Sequence, residues 1–170
     1  MRTRHPSTWR LVEDLQRIAR LNRVRSGAVA AALALLAPAG CGSEPSREVP
    51  VACKSGPATV ERALAKAPGD VRLQGRRLSE CFAPGGEGGD AQALGFALVP
   101  VAERLAADAR AHPNGPAAVE LGYLVGAVHR GAERGRVYAE LERRVRQVLG
   151  GVDTTSPAYR RGERAGRKHG

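Results

Sequence analysis

The sequence predicts an all-α fold, a small irregular bundle of about five helices, on three observations. Apolar residues beyond residue 56 recur at steps of three and four, the period of a helix face, and no strand-like alternation persists. The stretches that carry this period are separated by Gly/Pro punctuation at Pro68-Gly69, at 83–89, at 112–115 and at Gly150-Gly151. The 130 residues from 41 to 170 are enough for one domain with its own core. Phe82 and Phe96 are the only phenylalanines, so that core is built of Leu, Val and Ala.

Taken in order, residues 41–52, with Pro45 and Pro50 and no period, form a tether, and a helical domain spans 53–150. Ser55 or Gly56 can cap a first helix over 57–67, where Pro57 suits the opening position and Val60, Ala63, Leu64 and Ala67 share a face. Asp70 caps a second helix over 70–82, with Val71, Gly75, Leu78 and Phe82 at helical spacing. The third, over 90–111, carries the longest apolar stripe (Leu94, Leu98, Val101, Leu105, Ala109), with Pro100 removing one backbone donor and kinking it. The fourth starts at Pro116 and presents Leu121, Leu124, Val125 and Val128. Its Gly122 and Gly126 allow a close helix approach, a spacing that in a chain rich in Ala and Gly more often reflects composition. The fifth, over 136–149, turns Val137, Leu141, Val145 and Val148 inward and pairs Glu140 with Arg144 outside. A basic disordered tail, 151–170, follows.

Ahead of this domain, Arg17, Arg20, Arg23 and Arg25 precede an apolar run from Ala28 to Ala37, and Pro38 closes the run before Ala39-Gly40-Cys41. A positive flank, a short apolar stretch and small residues at its end are what an export signal requires, and the run falls short of the ~20 residues that cross a bilayer. Residues 1–40 therefore read as a signal peptide. Its front is longer than export needs, and a true start at Val12 or Val24 would account for that.

Over about residues 24–43 the chain resembles the lipobox of bacterial lipoproteins, where Ala39, Gly40 and Cys41 match the small-small-Cys ending and Pro38 stands where leucine is usual. The resemblance implies lipid (palmitate) attachment at Cys41 and a lipid-anchored protein on the extracytoplasmic side of the bacterial cell membrane. Ordinary cleavage after Ala39, releasing a soluble secreted chain that begins at Gly40, is the competing reading, and an uncleaved leader is the third.

Cysteine parity bears on that choice. Cys41, Cys53 and Cys81 are the only cysteines, so lipidation of Cys41 leaves a pair, whereas release at Gly40 leaves an odd thiol in an oxidising compartment. A helix hairpin turning at 68–70 would bring Cys53 and Cys81 together, so the first hairpin is expected to be stapled by a disulfide; two buried free thiols are the alternative. Closing a loop of this length is worth roughly 3.5 kcal/mol in the chain-entropy view.

A net charge of +10 and a pI near 10.7 suggest a nucleic-acid partner until the charge is located. Residues 1–40 hold +5 and residues 151–170 hold +3, which leaves only +2 on the body. No nucleic-acid partner is expected. The partners expected are the membrane, through an N-terminal lipid, and an envelope protein or anionic surface met by the basic tail.

No G-x-S-x-G, H-E-x-x-H or P-loop pattern occurs, so no catalytic residue, cofactor or metal is assigned. Glu120 and His129 fall on opposite faces of one helix, and His112 sits at a helix end where a cation suits the dipole. The function expected is a non-catalytic interaction or accessory module of the cell envelope, with a small envelope enzyme or ligand carrier as the alternative.

Overall fold

The computed structural model describes residues 49–170, so Cys41, the signal peptide and the first part of the tether lie outside the described residues. The domain is all-α apart from one short hairpin. Its elements are α1 (Pro57–Leu64), β1 (Arg72–Leu73), β2 (Arg76–Arg77), α2 (Gly88–Ala111), α3 (Pro116–Ala132), α4 (Ala139–Gln147) and α5 (Pro157–His169), with single 3-10 turns at Val51–Lys54, Leu78–Cys81 and Arg136–Tyr138. Among the described residues no helix is long and apolar enough to cross a membrane.

The start of α1 follows its sequence signals: Gly56 takes a left-handed φ of 83°, Pro57 occupies the first turn, and Val60, Ala63 and Leu64 are buried. Residues 70–82 depart from expectation. In place of a second helix they form an antiparallel hairpin, Arg72 opposite Arg77 and Leu73 opposite Arg76, and then the 3-10 turn Leu78–Cys81. Gln74 and Gly75, with φ of 48° and 86°, are the paired positive-φ residues of a type I′ turn, which a glycine favours and a helix interior does not. The Asp70 carboxylate holds the Arg72 guanidinium (2.8 Å) instead of capping a helix, and Arg72 also donates to the Gly75 carbonyl at 2.9 Å. Val71, Leu73, Leu78 and Phe82 still face inward, so the helical spacing of Val71, Leu78 and Phe82 reflected burial on another backbone.

The cysteine pairing holds although half of the hairpin that motivated it does not. Cys53 and Cys81, on the first two 3-10 turns, form a disulfide with Cα atoms 5.6 Å apart, and both are buried.

Helix α2 buries the whole expected stripe, Leu94, Leu98, Val101, Leu105 and Ala109, and runs unbroken through Pro100, which lies on its exposed face. Phe96 is also on that face, 70% exposed, and takes no part in the core. Helix α3 is the centre of the domain: every residue from Leu121 to Val128 is buried, as no helix with a solvent face would show. Two tyrosines that the apolar pattern passed over, one from α3 and one from the 3-10 turn after it, join this core. Tyr138 packs edge-on to Phe82 at 5.0 Å and donates to the Ala83 carbonyl at 3.2 Å. Tyr123 lies fully inside, beside the Val71 backbone, with no hydrogen-bond partner of acceptable geometry for its hydroxyl. On α4, Glu140 pairs with Arg143 (2.6 Å), one residue short of the expected Arg144.

The largest correction concerns 151–170, expected as a disordered tail. Its residues form the loop 151–156 and α5, whose N-terminus is defined by the Ser156 hydroxyl accepting from the Tyr159 amide (3.2 Å) with Pro157 in the first turn. Helix α5 lies along α3 and runs parallel to it. Gly122 of α3 sits over the Tyr159 and Glu163 backbone and Gly126 over Glu163 and Arg167; Gly162 of α5 sits over Val119 and Tyr123, and Gly166 over Tyr123 and Ala127. Each of these four glycines has backbone of the other helix inside the space a Cβ would occupy. The spacing at Gly122 and Gly126, which composition alone explained, is thus half of a glycine-on-glycine helix contact. Further ties hold the end of α5: the buried Ser79 hydroxyl donates to the Gly170 carbonyl, and the Arg130 guanidinium donates to the carbonyls of Arg167 (2.9 Å) and Lys168.

Candidate functional site

Two of the three sequence-assigned site residues, Cys53 and Cys81, are consumed by a structural bond, and the third, Cys41, lies outside the described residues. Among the described residues no cluster of His, Cys, Asp and Glu offers a metal a common point. His129 shows why: Glu142 meets its Nδ1 at 2.8 Å and Glu133 its Nε2 at 3.5 Å, on opposite edges of the ring. Glu142 is shared with Arg146 (2.9 Å), and this side-chain network links α3 to α4. As the helix geometry requires, Glu120 does not join it. Burial, and secondarily the Asp108 charge, raises the Glu120 carboxyl above the ordinary carboxylate range.

His112 ends α2, its amide bonded to the Asp108 carbonyl at 2.9 Å. A depression of about 650 Å³ borders it, but the residues lining it run from Asp108 to Ala117 around this one turn, and no second element brings chemistry to it.

A second cleft, of about 420 Å³, draws on three helices. Val125 of α3, Leu149 and the Tyr159 ring provide its apolar surface; Arg146 of α4 stands on one side, and Arg160, Glu163 and Arg167 of α5 on another. Thr154 and Thr155 close the end. The local sequence explains each placement. Asp153 accepts from the Thr155 amide (2.9 Å) and hydroxyl (2.7 Å), an Asx turn that leads into the Ser156 cap, and these bonds hold its carboxyl below the usual range. Arg160 and Arg167 are two turns apart on α5, with Glu163 between them, so the three share one face.

The electrostatics are one-sided. Three guanidiniums line it with one carboxylate; Glu163 is bridged by Arg167 at 2.9 Å, and Arg146 is bridged by Glu142, just outside the lining, at 2.9 Å. Among the described residues Arg160 has no carboxylate within ion-pair distance. Burial, then the nearby Glu163 charge, pushes the Tyr159 hydroxyl up to about 12 against the opposing pull of Arg146 and Arg167. It therefore remains a protonated donor at any physiological pH. The cleft thus brings together hydrogen-bond donors and positive charge.

Of the five basic residues in 151–170, Arg160 and Arg167 line this cleft, while Arg161, Arg164 and Lys168 face solvent. Sequence reasoning saw the charge and missed the site, because the site exists only once the tail is a helix. Two signals pointed to that helix: the Ser156-Pro157 cap, and Gly162 and Gly166 repeating the spacing of Gly122 and Gly126. No protein-family model, curated protein or solved structure matches this chain.

Proposed function

We propose that this chain is a lipid-anchored module of the bacterial envelope, held on the extracytoplasmic side through Cys41, that acts by binding and not by catalysis. The observation that carries the reading is the Cys53–Cys81 bond, which uses both cysteines of the folded domain and leaves Cys41 the odd one of three. A structural disulfide suits an oxidising compartment, and an unpaired cysteine there is accounted for when its sulfur carries a lipid. The cleft between α3, α4 and α5 supports the binding half of the reading, since it converges charge and hydroxyls without catalytic groups.

Growth with labelled palmitate and fractionation of the cells tests it. The wild-type chain is expected in the membrane fraction with label, and Cys41→Ser is expected to lose the label and be found unprocessed. A soluble, unlabelled wild-type chain beginning at Gly40 overturns the anchor in favour of simple secretion.

A further inference from the structure

We infer that the cleft between α3, α4 and α5 binds a phosphate dianion, as free phosphate or as the phosphoryl group of a small monoester. This deepens, and rests on, the reading of the domain as a binding module, and it names the class of ligand.

Charge is the first argument. Arg146, Arg160 and Arg167, set against Glu163 and the Glu142 that bridges Arg146, leave a net +1, which attracts an anion and leaves the choice among anions to geometry. Geometry is the second. The donors come from different elements: Arg146 from α4, Arg160 from the first turns of α5, and the Thr154 hydroxyl from the loop before it. Planar guanidiniums suit phosphoryl oxygens, and donors on several sides suit a tetrahedral anion better than a flat one.

Availability is the third argument. Arg143 is occupied by Glu140, Arg104 by Glu61 and Arg72 by Asp70, and within the cleft Arg146 is bridged by Glu142 and Arg167 by Glu163, which leaves Arg160 as its unpaired guanidinium among the described residues. In the cleft the Arg160 guanidinium and the hydroxyls of Thr154 and Tyr159 donate no hydrogen bond to any described residue. The Tyr159 ring is buried, and its protonated hydroxyl is available to an anion in the cleft. Size is the last. About 420 Å³ exceeds what phosphate needs, and the apolar surface of Val125, Leu149 and the Tyr159 ring leaves room for an organic remainder. Glu163 opposes the anion, and its bridge to Arg167 limits that opposition.

The test is an NMR titration of the full chain in mild detergent with inorganic phosphate, at constant ionic strength set by chloride. Saturable shifts are expected at Thr154, Thr155, Tyr159 and Arg160. Arg160→Gln is expected to weaken binding about tenfold, the worth of one charged hydrogen-bond partner. Glu163→Gln is expected to tighten it, and Arg143→Gln, which removes the same charge one turn from Arg146 but outside the cleft, to weaken it far less than Arg160→Gln. The Arg160 side chain makes no ion pair or hydrogen bond among the described residues, so its variant keeps the fold, and thermal unfolding by circular dichroism checks this. Shifts that fail to saturate, or an equal loss in Arg143→Gln, overturn the inference by showing general attraction to a basic chain. Binding to phosphatidylglycerol vesicles through these residues, with no response to free phosphate, also overturns it and makes the ligand a lipid diester at the membrane surface. A Cys41→Ser chain separates the inference from the anchor, because phosphate binding is expected to survive when anchoring is lost.

Discussion

Replacing Gly162 by alanine probes the contact that turns a basic tail into part of the core. An ideal Cβ at Gly162 would lie 2.8 Å from the Val119 carbonyl carbon and 2.9 Å from the Tyr123 amide nitrogen, and closer still to the Val119 carbonyl oxygen. All three are α3 backbone, which no rotamer change can move aside. Restoring an ordinary carbon contact requires α5 to back away by roughly 1 Å, a gap that forfeits a quarter to a half of the dispersion energy along the seam. Overpacking of this kind costs about 1–3 kcal/mol, while alanine returns up to about 1 kcal/mol of helix propensity. The net expectation is a loss of about 2 kcal/mol, measured by urea unfolding followed by circular dichroism. Gly89→Ala, in the first turn of α2, is the internal control, because a Cβ there meets nothing within 4 Å. It is expected to gain about 0.5 kcal/mol. A Gly162→Ala chain as stable as Gly89→Ala would refute the close parallel packing of α3 and α5.

The Cys53→Ser/Cys81→Ser double variant is expected to lose roughly 3.5 kcal/mol, from a bond spanning 28 residues, with an equal loss when the wild type is unfolded under reducing conditions. A midpoint indifferent to reductant contradicts it. Tyr123→Phe removes a buried hydroxyl that has no partner and is expected to gain up to about 1 kcal/mol, whereas Tyr138→Phe loses the bond to the Ala83 carbonyl and about 1 kcal/mol; equal losses would show that Tyr123 has an acceptor after all. Glu120, whose carboxyl burial raises, stabilises the fold most below the unfolded value near pH 4, and that contribution is lost as pH rises through the folded value. Glu120→Gln is therefore expected to stabilise the fold at pH 7 by less than about 1 kcal/mol for a partly exposed group, read as a raised thermal midpoint, with the difference vanishing near pH 4. A difference that persists at pH 4 contradicts the sign.

Much of the helical core was legible because periodicity reports side chains that avoid water. Leu94, Leu98, Val101, Leu105 and Ala109 are all buried, and α3 begins at Pro116 as its Gly-Pro signal requires. Where burial is achieved by another backbone the same periodicity misleads: Val71, Leu78 and Phe82 are inside, yet Gln74-Gly75 turns the chain into a hairpin. The disulfide was legible from parity and chain reversal, neither of which depends on whether the second limb is helix or strand. Helix α5 was hidden because its buried face is made of Gly162 and Gly166, which hydropathy treats as neutral and propensity as helix-breaking. Their contribution is room for another backbone, and it appears only when Gly122 and Gly126 are set beside them. With α5 goes the cleft, since Tyr159, Arg160 and Arg167 converge with Arg146 only when the tail is docked.

The central claim, an exported domain anchored at Cys41 with its other two thiols bonded, is tested most directly by the intact mass of the chain extracted from the membrane fraction. The account predicts a chain beginning at Cys41, heavier by a diacylglyceryl group and two hydrogen atoms lighter than its reduced form. A soluble chain beginning at Gly40, or a membrane chain with Cys53 and Cys81 both free to alkylation, contradicts it.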